Sequence, residues 1–403
     1  MTPLQRGSPV ATDRGQVTAA IAKVVHSTPF WLRQTQTWIH TQVDCTPSNR
    51  IESHVVCESV INLEQFPVQH LHRFADAPTL ERLYDRSLRK LGLRRHLGYL
   101  ARVARQVGAG VIHSHFGDVG WANIGAARAA RTKHVVTFYG YDMSFLPRQP
   151  LWRDRFDELF GNVDLVLCEG PHMARCIADI GCPEHKIRVQ HLGIRLERIP
   201  FHPRRWQPGE KLRVLISGIF TEKKGIPYAL EALGHVQKQQ DLEITIIGDA
   251  HDHPETQREK TRIVHAIGKH GLGSSVRMLG FQPHAVLMHE AYAHHVFMSP
   301  SITAQNGATE GGAPVSIIEM AASGMIVVSS KHCDIPNVIL DRQTGFLADE
   351  RDAPGLIRCL DEVISYPAQW ERMVELGRKR IEVEFDARIQ GSKLADVYYS
   401  TLA

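Results

Sequence analysis

The segment 310–324, EGGAPVSIIEMAASG, combines residues that can bind an anion. Two glycines precede Pro314, and proline is favoured at the first position of a helix, where its missing N–H is not needed. A helix that begins here would turn its free N–H groups toward the flexible loop Gly311–Gly312. Such a helix N-terminus is suited to binding a phosphate.

Two carboxylates lie in the same segment. Glu310 precedes the glycines, and Glu319 lies between Ile318 and Met320. A carboxylate on an otherwise apolar helix face needs a partner, and the two hydroxyl groups of a ribose would provide one. A glycine-capped helix with a surface glutamate would show the same spacing, so the pattern alone leaves both interpretations open.

The segment 217–225, SGIFTEKKG, separates a predicted strand, which ends near Gly218, from a predicted helix. Lys224 lies at the start of that helix and could reach a phosphate. A solvated pair of lysines is the alternative, and the P-loop pattern G-x-x-x-x-G-K-[ST] is absent. Phe281 follows another strand and could border a nucleobase or belong to the core.

Polar side chains also follow two strands of the first half. His113 and His115 end the strand in VIHSHFGD, and the next strand ends in TFYGYDMS, which contains Tyr139, Gly140 and Asp142. At the carboxyl ends of strands, these residues should face a ligand cleft. A general base or a substrate hydrogen bond is favoured over a metal, because no acidic residue or cysteine has convincing ligand spacing. A buried structural histidine is the other interpretation.

These motifs require a scaffold of alternating strands and helices. In the first half we predict strands at 21–27, 52–57, 110–115, 134–140 and 163–169, and helices near 31–43, 79–107, 119–131, 150–160 and 171–180. In the second half we predict strands at 211–218, 242–249, 275–280, 295–301 and 325–330, and helices at 224–238, 255–270, 283–293, 314–323, 353–365, 368–383 and 386–402. This alternation predicts an α/β protein with two doubly wound parallel sheets, Rossmann-like domains that face a central cleft.

Composition narrows the function classes. The 403 residues are 43% hydrophobic and 22% charged, with a net charge of +4, which is too small to indicate nucleic-acid binding. No apolar run approaches the length of a membrane-spanning helix, and the polar N-terminus does not resemble a secretory signal. The seven cysteines form no C-x-x-C pair, so we expect a reduced, cytoplasmic protein. Residues 1–20 are predicted to be a disordered tail, and the proline-rich stretch 198–211 a linker.

Together these motifs resemble family 4 of the retaining GT-B glycosyltransferases, in particular the exopolysaccharide or colanic-acid type. The similar segments are TQTWIHTQV (35–43), HSHFG (113–117), TFYGYD (137–142), EKKG (222–225), IIGD (246–249) and 300–324. They occur in the order found in the family and span nearly the whole chain. The resemblance implies an acceptor-side domain at 21–205, a nucleotide-sugar-binding domain at 206–385, and a last helix, 386–403, that packs back on the first domain.

The resemblance also implies roles for individual residues. Lys224 would bind the donor diphosphate, Glu310 would contact the transferred sugar, and Glu319 the donor ribose. Other residues predicted to bind the donor are Gly218, Phe281, Gly311, Gly312, Val315, Ser316 and Ile317. His115 is a catalytic candidate, and the acceptor-side candidates are His113, Tyr139, Gly140 and Asp142. The implied chemistry is metal-independent transfer with retention, without a cofactor, from a nucleotide-diphosphate sugar.

Three positions depart from the family pattern. Ile219 stands where the family commonly has an arginine, and Tyr139 stands where it has a histidine. Glu310 and Glu319 are nine residues apart, where the family spacing is eight. These departures motivate an alternative, a nucleotide-sugar-binding subunit with impaired activity. A dinucleotide-dependent oxidoreductase is disfavoured because no G-x-G-x-x-G follows the first strand.

The stretch 82–105 carries arginines and leucines interleaved at roughly helical spacing. A basic amphipathic helix of this kind can lie on an anionic membrane surface. The enzyme would then be peripheral to the inner face of a membrane and act on a lipid-linked saccharide. In the alternative, the leucines pack on the first sheet, the basic face is solvated, and the acceptor is small and soluble.

Overall fold

The computed structural model describes residues 20–32 and 36–403. The predicted disordered tail therefore lies outside the described residues, apart from Ala20. The remaining chain forms two Rossmann-like domains, each built on a parallel sheet, as predicted.

The first domain is built on strands whose apolar residues are buried on both faces, which is typical of parallel sheets. Within the described residues its main sheet has the order β5-β3-β1-β6-β7-β8-β9, and β2 pairs with β4 beside it. In chain order the strands are β1 (Ala22–Ser27), β2 (Phe30–Trp31), β3 (Ile51–Cys57), β4 (Ser59–Val60), β5 (Leu71–Arg73), β6 (Val111–His115), β7 (Lys133–Thr137), β8 (Leu165–Cys168) and β9 (Ile187–Val189).

The second domain repeats this construction. Its sheet has the order β12-β11-β10-β13-β14-β15, and every pairing is parallel. Its strands are β10 (Leu212–Ser217), β11 (Leu242–Ile247), β12 (Val276–Met278), β13 (Val296–Ser299), β14 (Ile326–Ser330) and β15 (Phe346–Ala348). In both sheets the strand order reverses direction beside the first strand, and ligands of such sheets bind beyond the carboxyl ends of the strands.

Helices cover both faces of each sheet. They are α1 (Thr37–Asp44), α2 (Thr79–Lys90), α3 (Gly98–Val107), α4 (Gly117–Ala130), α5 (Gly140–Ser144), α6 (Leu151–Asn162), α7 (Pro171–Asp179), α8 (Ile226–Val236), α9 (Pro254–Lys269), α10 (His284–Ala293), α11 (Val315–Ser323), α12 (Ile335–Val338), α13 (Ala353–Ser365), α14 (Trp370–Glu384) and α15 (Ala387–Leu402). Among the described residues, no helix combines the length and the apolar character that a membrane crossing requires.

The predicted single helix 79–107 is two helices. Gly92 has a φ of +69°, a backbone conformation that ends a helix. The buried Asp85 carboxylate accepts a hydrogen bond from the N–H of Gly98 at 3.0 Å and pairs with Arg94, which fixes the start of α3. The pattern of basic and apolar residues continues through the turn between α2 and α3, so it did not predict that turn.

The last helix returns to the first domain. Asp386 caps α15 by accepting hydrogen bonds from the N–H groups of Arg388 and Ile389. Leu394, Ala395 and Tyr398 of α15 are fully buried against apolar residues of the first sheet, namely Val24, Ile51, Val111, Val135, Leu165 and Leu167. The final residues thus complete the hydrophobic core of the N-terminal domain.

The chain crosses between the domains at two places that lie together. Ile194 donates a backbone hydrogen bond to Phe385 at 2.8 Å, and its carbonyl accepts one from Ala387 at 2.9 Å. Beyond the first crossing, the predicted linker is irregular but anchored. Arg204 is buried and donates to the carbonyls of Ala291 and Ser323, so this part of the linker belongs to the second domain.

Candidate active site

The two domains touch along a loop of the second domain, residues 306–312. A Cβ atom at Gly140 would overlap the carbonyl oxygen of Glu310, and one at Gly311 would overlap Gly140. The backbones therefore approach closely only because both positions are glycine. Arg148 extends the contact by donating to the carbonyls of Asn306 and Gly307. The loop that carries Glu310 is thus fixed against the N-terminal domain.

Glu310 lies at the centre of a compact charge cluster. Its Oε1 is 2.8 Å from Lys224 Nζ and accepts a hydrogen bond from Ser301 at 2.9 Å, and its Oε2 is 3.1 Å from Lys223 Nζ. Burial opposes ionisation of this carboxyl group, but the two lysines and the serine outweigh it, so the pKa of Glu310 lies well below its ordinary value. Glu310 is therefore ionised, and it holds two ammonium groups in the cleft.

The start of α11 lies beside this cluster. Pro314 precedes the helix, which begins at Val315, one residue later than predicted. Ile317 donates to the carbonyl of Pro314 at 2.9 Å, whereas no hydrogen bond joins the N–H of Val315 or Ser316 to another described residue. The side chain of Ile317 is buried in the core. Two of the three predicted amides are thus available for an anion, and the third is not.

Glu319 already has a protein partner. Its Oε1 is 2.9 Å from Nε2 of His284 at the start of α10, and this contact raises the pKa of His284 above its ordinary value. The partner that the sequence pattern requires is therefore present within the protein, although Oε2 of Glu319 keeps its acceptor capacity. Nearby, the half-exposed Phe281 stacks on His251, with ring centroids 4.9 Å apart. This pair borders the same end of the second sheet.

The side chain of Lys224 runs past the end of β10. A Cβ atom at Gly218 would lie 3.2 Å from Cδ and Cε of Lys224, so the absence of a side chain there leaves room for this lysine. Gly218 thus supports the position of Lys224, and no side chain from this residue enters the site.

The two histidines of the HSHFG segment do not face open space. His113 is fully buried, with Nδ1 2.7 Å from the hydroxyl of Tyr398 and Nε2 2.6 Å from Oγ1 of Thr137. His115 is also fully buried, with Nε2 3.1 Å from Nδ1 of His26. Burial lowers the pKa of both His113 and His115 well below the ordinary value. The expectation that they face the cleft is wrong, because α15 packs over this face of the sheet.

Tyr139 and Asp142 shape the loop that meets Glu310. The Tyr139 hydroxyl is 2.8 Å from Nδ1 of His115, and its ring belongs to a buried cluster on which Val315 packs. The fully buried Asp142 carboxylate accepts hydrogen bonds from the N–H groups of Gly117 and Tyr139. Both side chains are therefore committed to internal contacts, and the geometry does not support direct contact with an acceptor.

One group of described residues has the arrangement of metal ligands. His26, His113 and His115 each offer a nitrogen, and these atoms lie within 4.8 Å of one another. Both nitrogens of His113 already have hydroxyl partners, whereas Nε2 of His26 has none. A metal would have to displace a hydroxyl partner of His113, so the contacts fit a hydrogen-bonded core better than a metal centre.

Sequence reasoning missed two acidic residues in the cleft. Glu169 follows β8 and lies against Gly312, and Asp334 follows β14 and contacts the start of α7. Glu169 comes directly after its buried strand and Asp334 comes four residues after the end of β14, and a position beyond the carboxyl end of a strand is the signal that could have identified them. His284 was missed because its partner, Glu319, lies 35 residues away in the sequence.

Two Rossmann-like domains that meet across a cleft, with lysines and a helix N-terminus on the side of the second domain, define the GT-B class of glycosyltransferase. Family comparisons agree. Residues 35–198 match the family described as Glycosyltransferase Family 4, and residues 199–380 match Glycosyl transferases group 1.

Comparison with individual proteins also finds glycosyltransferases. The chain is 32% identical to the amylovoran biosynthesis glycosyltransferase AmsK of Erwinia amylovora, over 70% of this chain and 68% of that protein. It is 30% identical to the putative colanic acid biosynthesis glycosyltransferase WcaL of Escherichia coli K12, over 73% and 72%. The chain therefore belongs to glycosyltransferase family 4.

Solved structures share the fold at low sequence identity. Anabaena HepE in complex with UDP superposes with a TM-score of 0.73 at 15% identity, covering 94% of this chain and all of that one. A glycosyltransferase from Rickettsia africae gives 0.74 at 15% identity, covering 95% and 99%. These likenesses support the two-domain architecture.

Proposed function

We propose that this protein is a retaining, metal-independent hexosyltransferase that transfers a sugar from a UDP-sugar to a hydroxyl group of a saccharide. The observation that carries the proposal is the cluster of Lys223, Lys224 and Glu310 beside the start of α11. Two ammonium groups and two available amides, those of Val315 and Ser316, are groups that bind a diphosphate well, and this supports the proposal. HepE, a structural neighbour, has been solved with UDP and with UDP-glucose.

In this proposal the negative charge of Glu310 pairs with the two lysines before the negatively charged donor binds to them. Lys223 and Lys224 now pair with its carboxylate, and a diphosphate would share these cations. Lys223 also supplies a second cation in the region where Ile219 replaces the arginine common in the family. Glu319 would accept a hydrogen bond from the ribose, with His284 fixing its orientation.

The proposed reaction breaks the bond between C1 of the sugar and the phosphate oxygen, and positive charge develops on the sugar. The acceptor hydroxyl attacks from the same face, and its proton passes to the departing phosphate oxygen. Lys223, Lys224 and the amides at the start of α11 stabilise the diphosphate as it gains charge. Since these groups are held in place before reaction, no cofactor is needed in this scheme.

We further propose a role in exopolysaccharide biosynthesis on a lipid-linked acceptor, supported by the similarity to AmsK and WcaL. The surface of α2 and the turn after it supports membrane contact. Leu80, Leu83, Tyr84, Leu91 and Leu93 are 82%, 55%, 63%, 70% and 72% exposed. By contrast, Leu100 and Val103 of α3 are buried, so only the first part of the stretch 82–105 presents apolar side chains.

Incubation of the full chain with a panel of UDP- and GDP-sugars tests the proposal. We expect release of UDP from a UDP-sugar and, with lipid-linked saccharides as acceptors, a product one sugar larger by mass spectrometry. Retention is read from the anomeric configuration of the new linkage. Binding of a UDP-sugar with neither hydrolysis nor transfer would favour the impaired binding subunit, and binding of no nucleotide sugar would contradict both.

A further inference from the structure

We propose that Glu169 binds a hydroxyl group of the donor sugar from the N-terminal domain, opposite Glu310. This inference rests on the proposed function, because it assigns a specificity residue to the same site. Glu169 belongs to none of the segments that resemble the family, so its position in the fold identifies it.

The backbone of Glu169 is fixed at the edge of the cleft. The residue follows the buried strand β8, and its carbonyl accepts a hydrogen bond from Nδ1 of His191 at 2.8 Å. Gly170, which comes next, lies so close to Asp334 of the other domain that a Cβ atom there would overlap its carboxylate. The main chain is therefore held on both sides, and the side chain extends from a rigid position.

The side chain points to the loop that carries the donor-site residues. A Cβ atom at Gly312 would overlap Oε2 of Glu169, so the carboxyl group packs against the backbone two residues after Glu310. The side chain is half-buried, and no hydrogen bond joins its carboxyl group to another residue in the described part of the chain. A carboxyl group at this depth needs a partner, and the space beside Gly312 is where the donor sugar would lie.

The charges around Glu169 favour a neutral partner. Burial, together with the negative charges of Asp334, Asp142 and Glu310, raises the pKa of Glu169 to about 8, although the cation of Lys223 opposes this. At neutral pH the group is mainly a carboxylic acid, which both donates and accepts a hydrogen bond. A sugar hydroxyl has the same two capacities, so it fits this group better than a phosphate does.

Calorimetric titration of the full chain with UDP-glucose and with UDP tests the inference. Glu169→Ala should weaken UDP-glucose binding about tenfold, the effect of losing one such hydrogen bond, and leave UDP binding unchanged. Glu169→Gln keeps a donor and an acceptor, so it should retain most of the affinity for UDP-glucose. Glu184→Ala, at an exposed glutamate, is the matched control.

A second measurement uses pH. Ionisation of Glu169 between pH 7 and 9 places a negative charge beside the donor, so UDP-glucose should bind more weakly at pH 9, and more so in the unaltered chain than in Glu169→Gln. An unchanged ratio of UDP-glucose to UDP affinity in Glu169→Ala would overturn the inference and leave the proposed function intact. Failure of the unaltered chain to bind either ligand would overturn both.

Discussion

Asp334 of the second domain caps a helix of the first, because its Oδ1 accepts a hydrogen bond from the backbone N–H of His172 at 2.7 Å. Its Oδ2 accepts a second from the N–H of Met173 at 3.2 Å. These N–H groups lie in the first turn of α7, which has no side-chain cap from its own domain. Among the described residues, these N–H groups therefore have a side-chain acceptor only when the two domains are together, and water takes its place when they separate.

This cap predicts that Asp334 stabilises the closed arrangement. Asp334→Ala should remove about 1 kcal/mol from the closed state, the usual value of an N-cap, and increase the radius of gyration measured by X-ray scattering without ligand. Asp334→Asn should largely restore compactness, because asparagine is an equally good cap. Asp361→Ala, at an exposed position of α13, is the control. An identical radius for all variants would contradict the prediction.

Lys224→Ala should weaken UDP binding 10- to 100-fold. The substitution removes a charge-assisted contact of about 1.5–3 kcal/mol, and each 1.4 kcal/mol is a factor of ten. Calorimetry measures the change, with Lys379→Ala on the exposed face of α14 as the matched control. Equal affinity in a folded Lys224→Ala protein would remove the lysine from the phosphate site.

Substitution of Glu310 and substitution of Glu319 should change different kinetic or binding constants. Glu310→Gln should mainly lower kcat, because it changes the charge beside the reacting sugar, and Glu319→Gln should mainly raise the Kd for UDP. The structural basis is their different partners, two lysines for Glu310 and His284 for Glu319. Steady-state kinetics and UDP titration of both variants provide the measurement. Similar behaviour of the two variants would show that this division of roles is wrong.

The buried histidines should make the fold sensitive to acid. Burial, with a smaller contribution from His54, lowers the pKa of His26 to about 3, and burial lowers that of His134 to about 4. The unfolded chain, with pKa near 6.5, binds protons that the folded chain does not. Stability is therefore full above pH 6.5 and is lost as the pH falls toward 4, by about 1.4 kcal/mol per pH unit for each histidine.

Urea unfolding between pH 7 and 5 measures this loss. His26→Gln should reduce the slope of unfolding free energy against pH, whereas His185→Gln, at an exposed position, should leave it unchanged. A slope that is the same in both variants would show that His26 titrates alike in the folded and unfolded chain.

The exposed surface of α2 should bind anionic vesicles. Arg86 and Lys90 form no ion pair with another described residue, so their charges add to the attraction from the exposed leucines. Co-sedimentation should be strong at low salt and weak at high salt. Leu80→Ser with Leu83→Ser should reduce it, whereas Leu376→Ser with Val383→Ser on α14 should not. No sedimentation of the unaltered chain at low salt would favour a small soluble acceptor.

The longer strands could be predicted from the sequence, because each contains adjacent apolar residues, such as residues 214–216 of β10. The strands β5, β9 and β15 have three residues each and were missed, as were the two-residue strands β2 and β4, because such short runs show little periodic pattern. The three-residue strand β12 was predicted as part of the longer run 275–280. The burial of His113 could not be predicted from the sequence, because its partner Tyr398 lies 285 residues away. The glycines and Pro314 before α11 lie close together in the sequence, so the local pattern predicted the start of this helix to within one residue.

The path of α15 has a consequence for synthesis on the ribosome. The first sheet is complete in sequence once residue 189 has been made, yet one of its faces stays uncovered until residues 387–402 follow. The second domain lies between these two segments in the sequence. It can finish folding while α15 does not yet cover that apolar face. In the order of translation, the domain that is begun first is completed last.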